Sequence, residues 1–198
     1  QVDAADKQGN QPIQPLLQEI ASLSSRDDVK NEIAKLHIKG IFPFFAIFSE
    51  ADYSDSKMQL AWVNQSGLGI GDRDYYIKDE NKHIREAYMT MAAKDFHLSG
   101  YDKISGMSAE NLSEKVMAIE TRLAKAQYDR LTNRDPYKTF HKMSVEEADV
   151  AVDGLGFSEY FKKENEPIII RSWYNPSRKK YEIIENLCDS FYDFLFSL

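Results

Sequence analysis

The chain has 198 residues, with 25 Lys+Arg against 32 Asp+Glu for a net charge of −7, and 42% of it is apolar and 12% aromatic. That composition is too apolar for disorder, and the length suffices to bury roughly 70% of the unfolded surface without a disulfide or a metal. An acidic chain with no long basic block repels a phosphate backbone, which excludes nucleic acid as a main ligand, and the longest apolar stretch of the body, Ile41 to Phe48 with Pro43 inside it, is far short of the roughly 20 residues that span a bilayer.

Residues 1–10 are polar and read as a linker or a frayed start, with neither Met nor an apolar leader at the front. The sequence is therefore expected to begin downstream of the natural start. Leu16, Leu17, Ile20 and Leu23 recur at helical spacing. A second short helix follows, with Asp27 or Asp28 as its cap, Val29, Ile33, Leu36 and Ile38 as its apolar stripe, and Gly40 as its stop. The aromatic run from Phe42 to Phe48, a polar stretch from Asp52 to Lys57, and then Leu60, Trp62 and Val63 predict a β-hairpin at about 44–51 and 58–65.

A glycine-containing loop, Gln65 to Tyr76, leads into a long helix expected from Asp79 to Gly100, with Ile84, Tyr88, Met91 and Ala92 inward. Another long helix is expected from Ser108, carrying Leu112, Val116, Ile119, Leu123 and Ala126 at steps of three or four. The two predict an antiparallel helical hairpin, and Pro136 is expected to close the region. Ser144 with Glu147 reads as a capping box for a helix to about Asp153. Gly154 and Gly156 end it, an aromatic turn of Phe157, Tyr160 and Phe161 follows, and Ile168, Ile169 and Ile170 form a brief apolar run after Pro167. Ile184, Leu187, Cys188, Phe191, Leu195 and Leu198 predict a final helix whose aromatic surface, over 181–198, is expected either to wrap over the core or to pair with a second copy of the chain.

The candidate chemistry is sparse. Gly67, Gly69 and Gly71 lack the spacing of a dinucleotide fingerprint, no Gly-Lys-Ser/Thr follows, and Asp72 and Asp74 stand where a phosphate would go. The loop reads as a structural turn. His37, His83, His97 and His141 form no i, i+4 ligand pair, and no HExxH is present. Cys188 is the single cysteine and has no internal partner. Glu120, Arg122, Arg130, Arg134 and Asp135 read in isolation as a solvated, salt-bridged face; Arg73-Asp74 and Arg134-Asp135 could also pin loops through bidentate bonds.

The order of the segments is more specific. Leu36-His37 and Gly40 before an aromatic strand, Asp52, and then Asn64-Gln65-Ser66-Gly67-Leu68-Gly69-Ile70-Gly71-Asp72-Arg73-Asp74-Tyr75-Tyr76 resemble the N-terminal domain of the neprilysin and endothelin-converting-enzyme family of zinc metallopeptidases, which includes bacterial oligoendopeptidase O. That family carries Gln-x-Gly-Leu-x-Leu-Pro-x-Arg-Asp-Tyr-Tyr after a hairpin; here Ile70 replaces the second Leu and Gly71 the Pro. Ile119-Glu120, Leu123-Ala124, Arg134-Asp135-Pro136-Tyr137 and His141-Lys142-Met143 resemble its next block. The resemblance covers about residues 10–167.

It implies a mainly α, helical lid-type domain with one β-hairpin, organised as a polar start (1–10), a partial peptidase N-terminal domain (11–167) and a divergent amphipathic segment (168–198). Gln65, Gly67, Leu68, Gly69, Arg73, Asp74, Tyr75, Tyr76, Glu120, Arg134 and Asp135 are its structural or interdomain motif residues. Catalytic and zinc-binding residues are expected to be absent, since the family's HExxH helix, its downstream Glu ligand and its Asn-Ala-Tyr strand have no counterpart here. Zinc is implied only for the full-length enzyme. The implied partners are a catalytic domain of the same polypeptide and peptide substrates. The implied location is periplasm, cell surface or secretion. The alternative is a stand-alone helical module that binds a peptide or protein without cleaving it.

Overall fold

In a computed structural model the described residues are 6–152, 156–160 and, for the backbone, 168–171. Asn10, at the end of the polar start, donates from Nδ2 to the carbonyls of Leu98 and Ser99 at 3.1 and 3.0 Å. Helix α1 (Gln14–Ala21) precedes α2 (Arg26–Ile38). Ser25 caps α2, accepting from the Asp28 amide, while Asp28 reaches back to the amide and hydroxyl of Ser24. Ser25 thus takes the place expected of Asp27 or Asp28, because the cap must stand in extended backbone one residue before the first helical turn. Val29 and Ile33 are buried as predicted, but Ile38 is 88% exposed and His37 lies inside. Five residues beyond Ile33, Ile38 has rotated away from the core, whereas four residues beyond it His37 has not.

Strands β1 (Phe45–Ala51) and β2 (Gln59–Gln65) form the predicted hairpin within a residue of its expected bounds, Phe45 opposite Gln65 and Ala51 opposite Gln59. Period-two alternation sends Leu60 and Trp62 to one face and Val63 to the other. All three are buried. The sheet then grows beyond the hairpin. β3 (His141–Met143) and β4 (Ile168–Arg171) add to it in the order β1-β2-β4-β3, β4 parallel to β2 and antiparallel to β3. The run Ile168–Ile170 is an internal strand.

After β2 come α3 (Asp74–Ile77), α4 (Lys82–Ser99), the short α5 (Tyr101–Ser105) and α6 (Ala109–Ala126). Ser108 caps α6 as expected. Tyr88 of α4 meets Glu120 of α6, and the other end of α4, at His97, reaches Asp102 near the start of α6, so the long helices run antiparallel. Met91 is exposed against expectation, and Met89 packs inward instead, because α6 covers that side of α4. Pro136 opens α7 (Pro136–Thr139), with Asp135 as its cap, and does not close a helix; its missing N–H is harmless in a first turn. The capping box of Ser144 and Glu147 starts α8 (Val145–Ala151), followed by α9 (Phe157–Tyr160). Gly154, Phe161 and the predicted helix at 184–198 lie outside the described residues.

The main core joins Val29 and Ile33 of α2, Phe45 and Val63 of the hairpin, Leu123 of α6, Val145 and Ala148 of α8, Val152 and Phe157. Trp62, Leu60 and Phe140 fill the opposite face of the sheet. A third cluster, Tyr76, Met117 and Ala124 with Leu68, Ile70 and Tyr88 against it, lies beneath the loop after β2.

Candidate functional site

Gln65, Gly67, Leu68, Gly69, Arg73, Tyr76 and Glu120 of the motif residues meet at the junction between the loop 65–73 and the C-terminal half of α6. Gln65 holds both backbone groups of Tyr128: its Nε2 donates to the carbonyl at 3.2 Å and its Oε1 accepts from the amide at 3.0 Å. Gln127 returns a bond to Ser66 O at 2.7 Å, and Arg73 Nε donates to Ala124 O at 3.1 Å. The Arg73 bond satisfies a carbonyl that the end of α6 leaves without an intrahelical partner.

Two glycines are required by what surrounds them. Gly67 has φ +83°, and a Cβ there would lie 2.0 Å from the Pro43 carbonyl oxygen. At Gly69 a Cβ would lie 2.0 Å from Tyr88 Oη. Leu68, between them, packs against both the main core and the Tyr76 cluster. The loop is a structural turn, as its spacing predicts.

Glu120 is at the centre of the junction. It accepts from Tyr76 Oη at 2.6 Å and from Tyr88 Oη at 3.0 Å, and Tyr76 Oη itself accepts from the Ile70 amide at 2.9 Å. Burial pushes the Glu120 carboxyl above its ordinary value, opposed by the two phenols and the Gly69 amide. Burial also pushes both phenols up, so neither ionises near neutrality. The solvated-face reading of Glu120 is thereby corrected: α6 points it into the layer beneath the loop. Arg134, by contrast, is exposed, and Asp135 accepts from the Tyr137 amide and pairs with Lys138 at 3.6 Å. Asp74 pairs with Lys78 at 2.7 Å, and Tyr75 is exposed, its carbonyl accepting from Arg85 at 2.8 Å.

Sequence reasoning missed Arg85, Gln127 and the bond from Tyr88 to Glu120. Tyr88 was legible as inward-facing; its partner, on another helix, was not.

A second polar knot ties the hairpin to β3. Asp52, buried at the end of β1, accepts from the amide and hydroxyl of Ser54 and from Lys142. The Lys142 ammonium, with the Ser54 bonds behind it, lowers the Asp52 carboxyl to about 2.

The histidines do not assemble. His37 is buried against Phe42, Phe45 and Tyr160, with Nδ1 2.6 Å from Tyr160 Oη. His97 pairs with Asp102 at 3.0 Å, His83 is exposed on α4, and His141 lies on β3. Among the described residues no group of three His, Cys, Asp or Glu is placed to hold a metal, so zinc has no fitting donor set there. No helix among them is long and apolar enough to cross a membrane.

The model of Peptidase family M13, in its N-terminal part, matches residues 1–185. The chain belongs to Peptidase family M13. It is an N-terminal domain of that family, partial relative to its full-length relatives. Endothelin-converting enzyme 1 of Bos taurus is 27% identical over 141 residues, covering 65% of this chain and 18% of the relative. Membrane metallo-endopeptidase-like 1 of Mus musculus is 31% identical over 120 residues, 57% of this chain and 15% of the relative. The chain thus spans less than a fifth of the length of these M13 relatives. Among solved structures, the zinc metalloprotease ZMP1 of Mycobacterium tuberculosis in its open state superposes with a TM-score of 0.81 at 17% identity, over 98% of this chain and 30% of that one. PEPO from Lactobacillus rhamnosis HN001 gives 0.74 at 16% identity, over 96% and 30%. At these identities the likeness establishes the M13 fold.

Proposed function

We propose that this chain is the non-catalytic N-terminal part of a zinc metalloendopeptidase, a helical lid that caps the cavity in which peptides are cut. One observation carries the reading: the chain shares its fold with 30% of a protein named as a zinc metalloprotease, while its described residues hold no metal-binding group. Zinc, the general base and the substrate-aligning strand then belong to a catalytic domain of the same polypeptide. Gln65, Gly67, Leu68, Gly69, Arg73, Tyr76 and Glu120 hold the loop against α6. Tyr75 and Arg134, which are exposed, are read as contacts with the catalytic domain, with Asp74 and Asp135 in the turns beside them. Peptides are the substrate class, and the periplasm, cell surface or exterior is the compartment, both by family likeness. A second copy pairing through 181–198 is inferred from the aromatic content of that segment and is read by light scattering.

The test compares the chain alone with the chain paired with the remainder of its own reading frame, using zinc and a mixed fluorogenic peptide library. The expected result is no turnover by the chain alone and chelator-sensitive turnover by the pair. Chelator-sensitive turnover by the chain alone overturns the reading. A stop directly after Leu198 would favour the stand-alone binding module.

A further inference from the structure

Beside the loop junction, α4 and the first turns of α6 enclose a groove of about 770 Å³. Met89, Ala93 and Ala109 line it with apolar surface. Around them stand Glu86, Glu110 and Glu114, with Asp102 at one end. Glu110 and Glu114 are spaced i, i+4 on one helix face, where like charges repel and weaken the helix. Neither makes an ion pair among the described residues. Among the described residues the Glu86 carboxylate pairs with Lys82, at 3.7 Å. The cationic groups lining the groove are Lys94 and, when protonated, His97, which is already engaged with Asp102. An apolar floor framed by unneutralised carboxylates is complementary to an apolar side chain flanked by cations.

We propose that this groove docks a cationic peptide segment, one carrying Lys or Arg on either side of an apolar residue. The apolar residue enters over Ala93 and Met89, and the flanking cations neutralise Glu110 and Glu114 on one side and Glu86 on the other. The groove lies within this chain, so the proposal does not rest on the lid reading.

The test is fluorescence anisotropy of the purified 198-residue chain with a short fluorescein-labelled lysine–leucine peptide, and with its glutamate–leucine counterpart. Saturable binding of the first, weakening with added salt, and none of the second are expected. The triple variant Glu86→Gln, Glu110→Gln, Glu114→Gln should weaken binding about tenfold. The variant Glu80→Gln, Glu146→Gln, Glu159→Gln makes the same change in net charge at exposed sites outside the groove and should stay within about twofold of the parent chain. Ala93→Trp, filling the floor, should abolish binding while far-UV circular dichroism keeps its helical signal. Equal weakening by the two triple variants, indifference to Ala93→Trp in a folded chain, or no saturable binding would each overturn the proposal.

Discussion

Tyr76 donates its phenolic hydrogen to Glu120 Oε2 at 2.6 Å, across 44 positions of sequence. Because the same phenol oxygen accepts from the Ile70 amide, one side chain joins the glycine loop, α3 and α6. Tyr76→Phe removes both bonds and leaves a buried amide and a carboxylate short of partners. A loss of about 1–3 kcal/mol in urea denaturation is expected. A loss below about 0.3 kcal/mol would show that water replaces the phenol fully.

Glu120 gives that junction a pH dependence. Its folded-state value is raised by burial, so its contribution is fully present below the unfolded value and is lost as pH rises through the folded one. Glu120→Gln holds the neutral form. The stability gap between the parent chain and this variant should therefore narrow as pH rises from about 4 to about 7. A gap that widens over that range contradicts the assignment.

Asp52 and His37 push the other way. The Asp52 carboxyl, held near 2, stabilises the fold above its ordinary 3.8, and that contribution disappears as pH falls through about 2. Burial lowers His37 below its ordinary 6.5, so its contribution is present above that value and is lost as pH falls through the folded one. Thermal midpoints measured from about pH 7 to about pH 5 should decline less in His37→Phe than in the parent chain. His141, lowered in the same direction, should preserve part of the slope. An unchanged slope in His37→Phe would remove His37 from the account.

Gly67 and Gly69 should differ in their tolerance of a methyl group. At Gly67 the obstacle is backbone, and the positive φ adds to it; Gly67→Ala should cost about 3 kcal/mol or more. At Gly69 the obstacle is the mobile end of Tyr88. Gly69→Ala should cost about 1–3 kcal/mol, through loss of the bond between Tyr88 and Glu120. Equilibrium unfolding of the two variants checks the order, and equal costs would refute the distinction.

Gln65 is expected to act as a backbone surrogate. Gln65→Ala removes both bonds to the Tyr128 backbone and should cost about 1–3 kcal/mol. Hydrogen exchange should quicken at Tyr128 and leave the core of α6 protected. Uniform quickening throughout α6 would mean that the clamp supports the whole helix.

What sequence alone determined was set by near neighbours. The capping box at Ser144, the cap at Ser108, the hairpin from Phe45 to Gln65 and the paired long helices each follow from residues within a few turns or one reversal of the chain. Such patterns carry their own hydrogen-bond logic and need no distant partner. The order of the Gln65–Tyr76 and Ile119–Asp135 blocks was legible too, and with it the family. Tertiary structure decided the rest. The isoleucine run at 168–170 became an internal strand because β2, more than 100 positions earlier, presents a free edge at Ala61 to Asn64. Glu120 left the solvated face because α3 and α4 bring two phenols to it, and a carboxylate is tolerated in such a layer only where donors meet it. Periodicity names the face of a helix that turns inward. Which groups wait there depends on long-range packing, and at Glu120, Asp52 and His37 that packing sets charge, stability and pH response together.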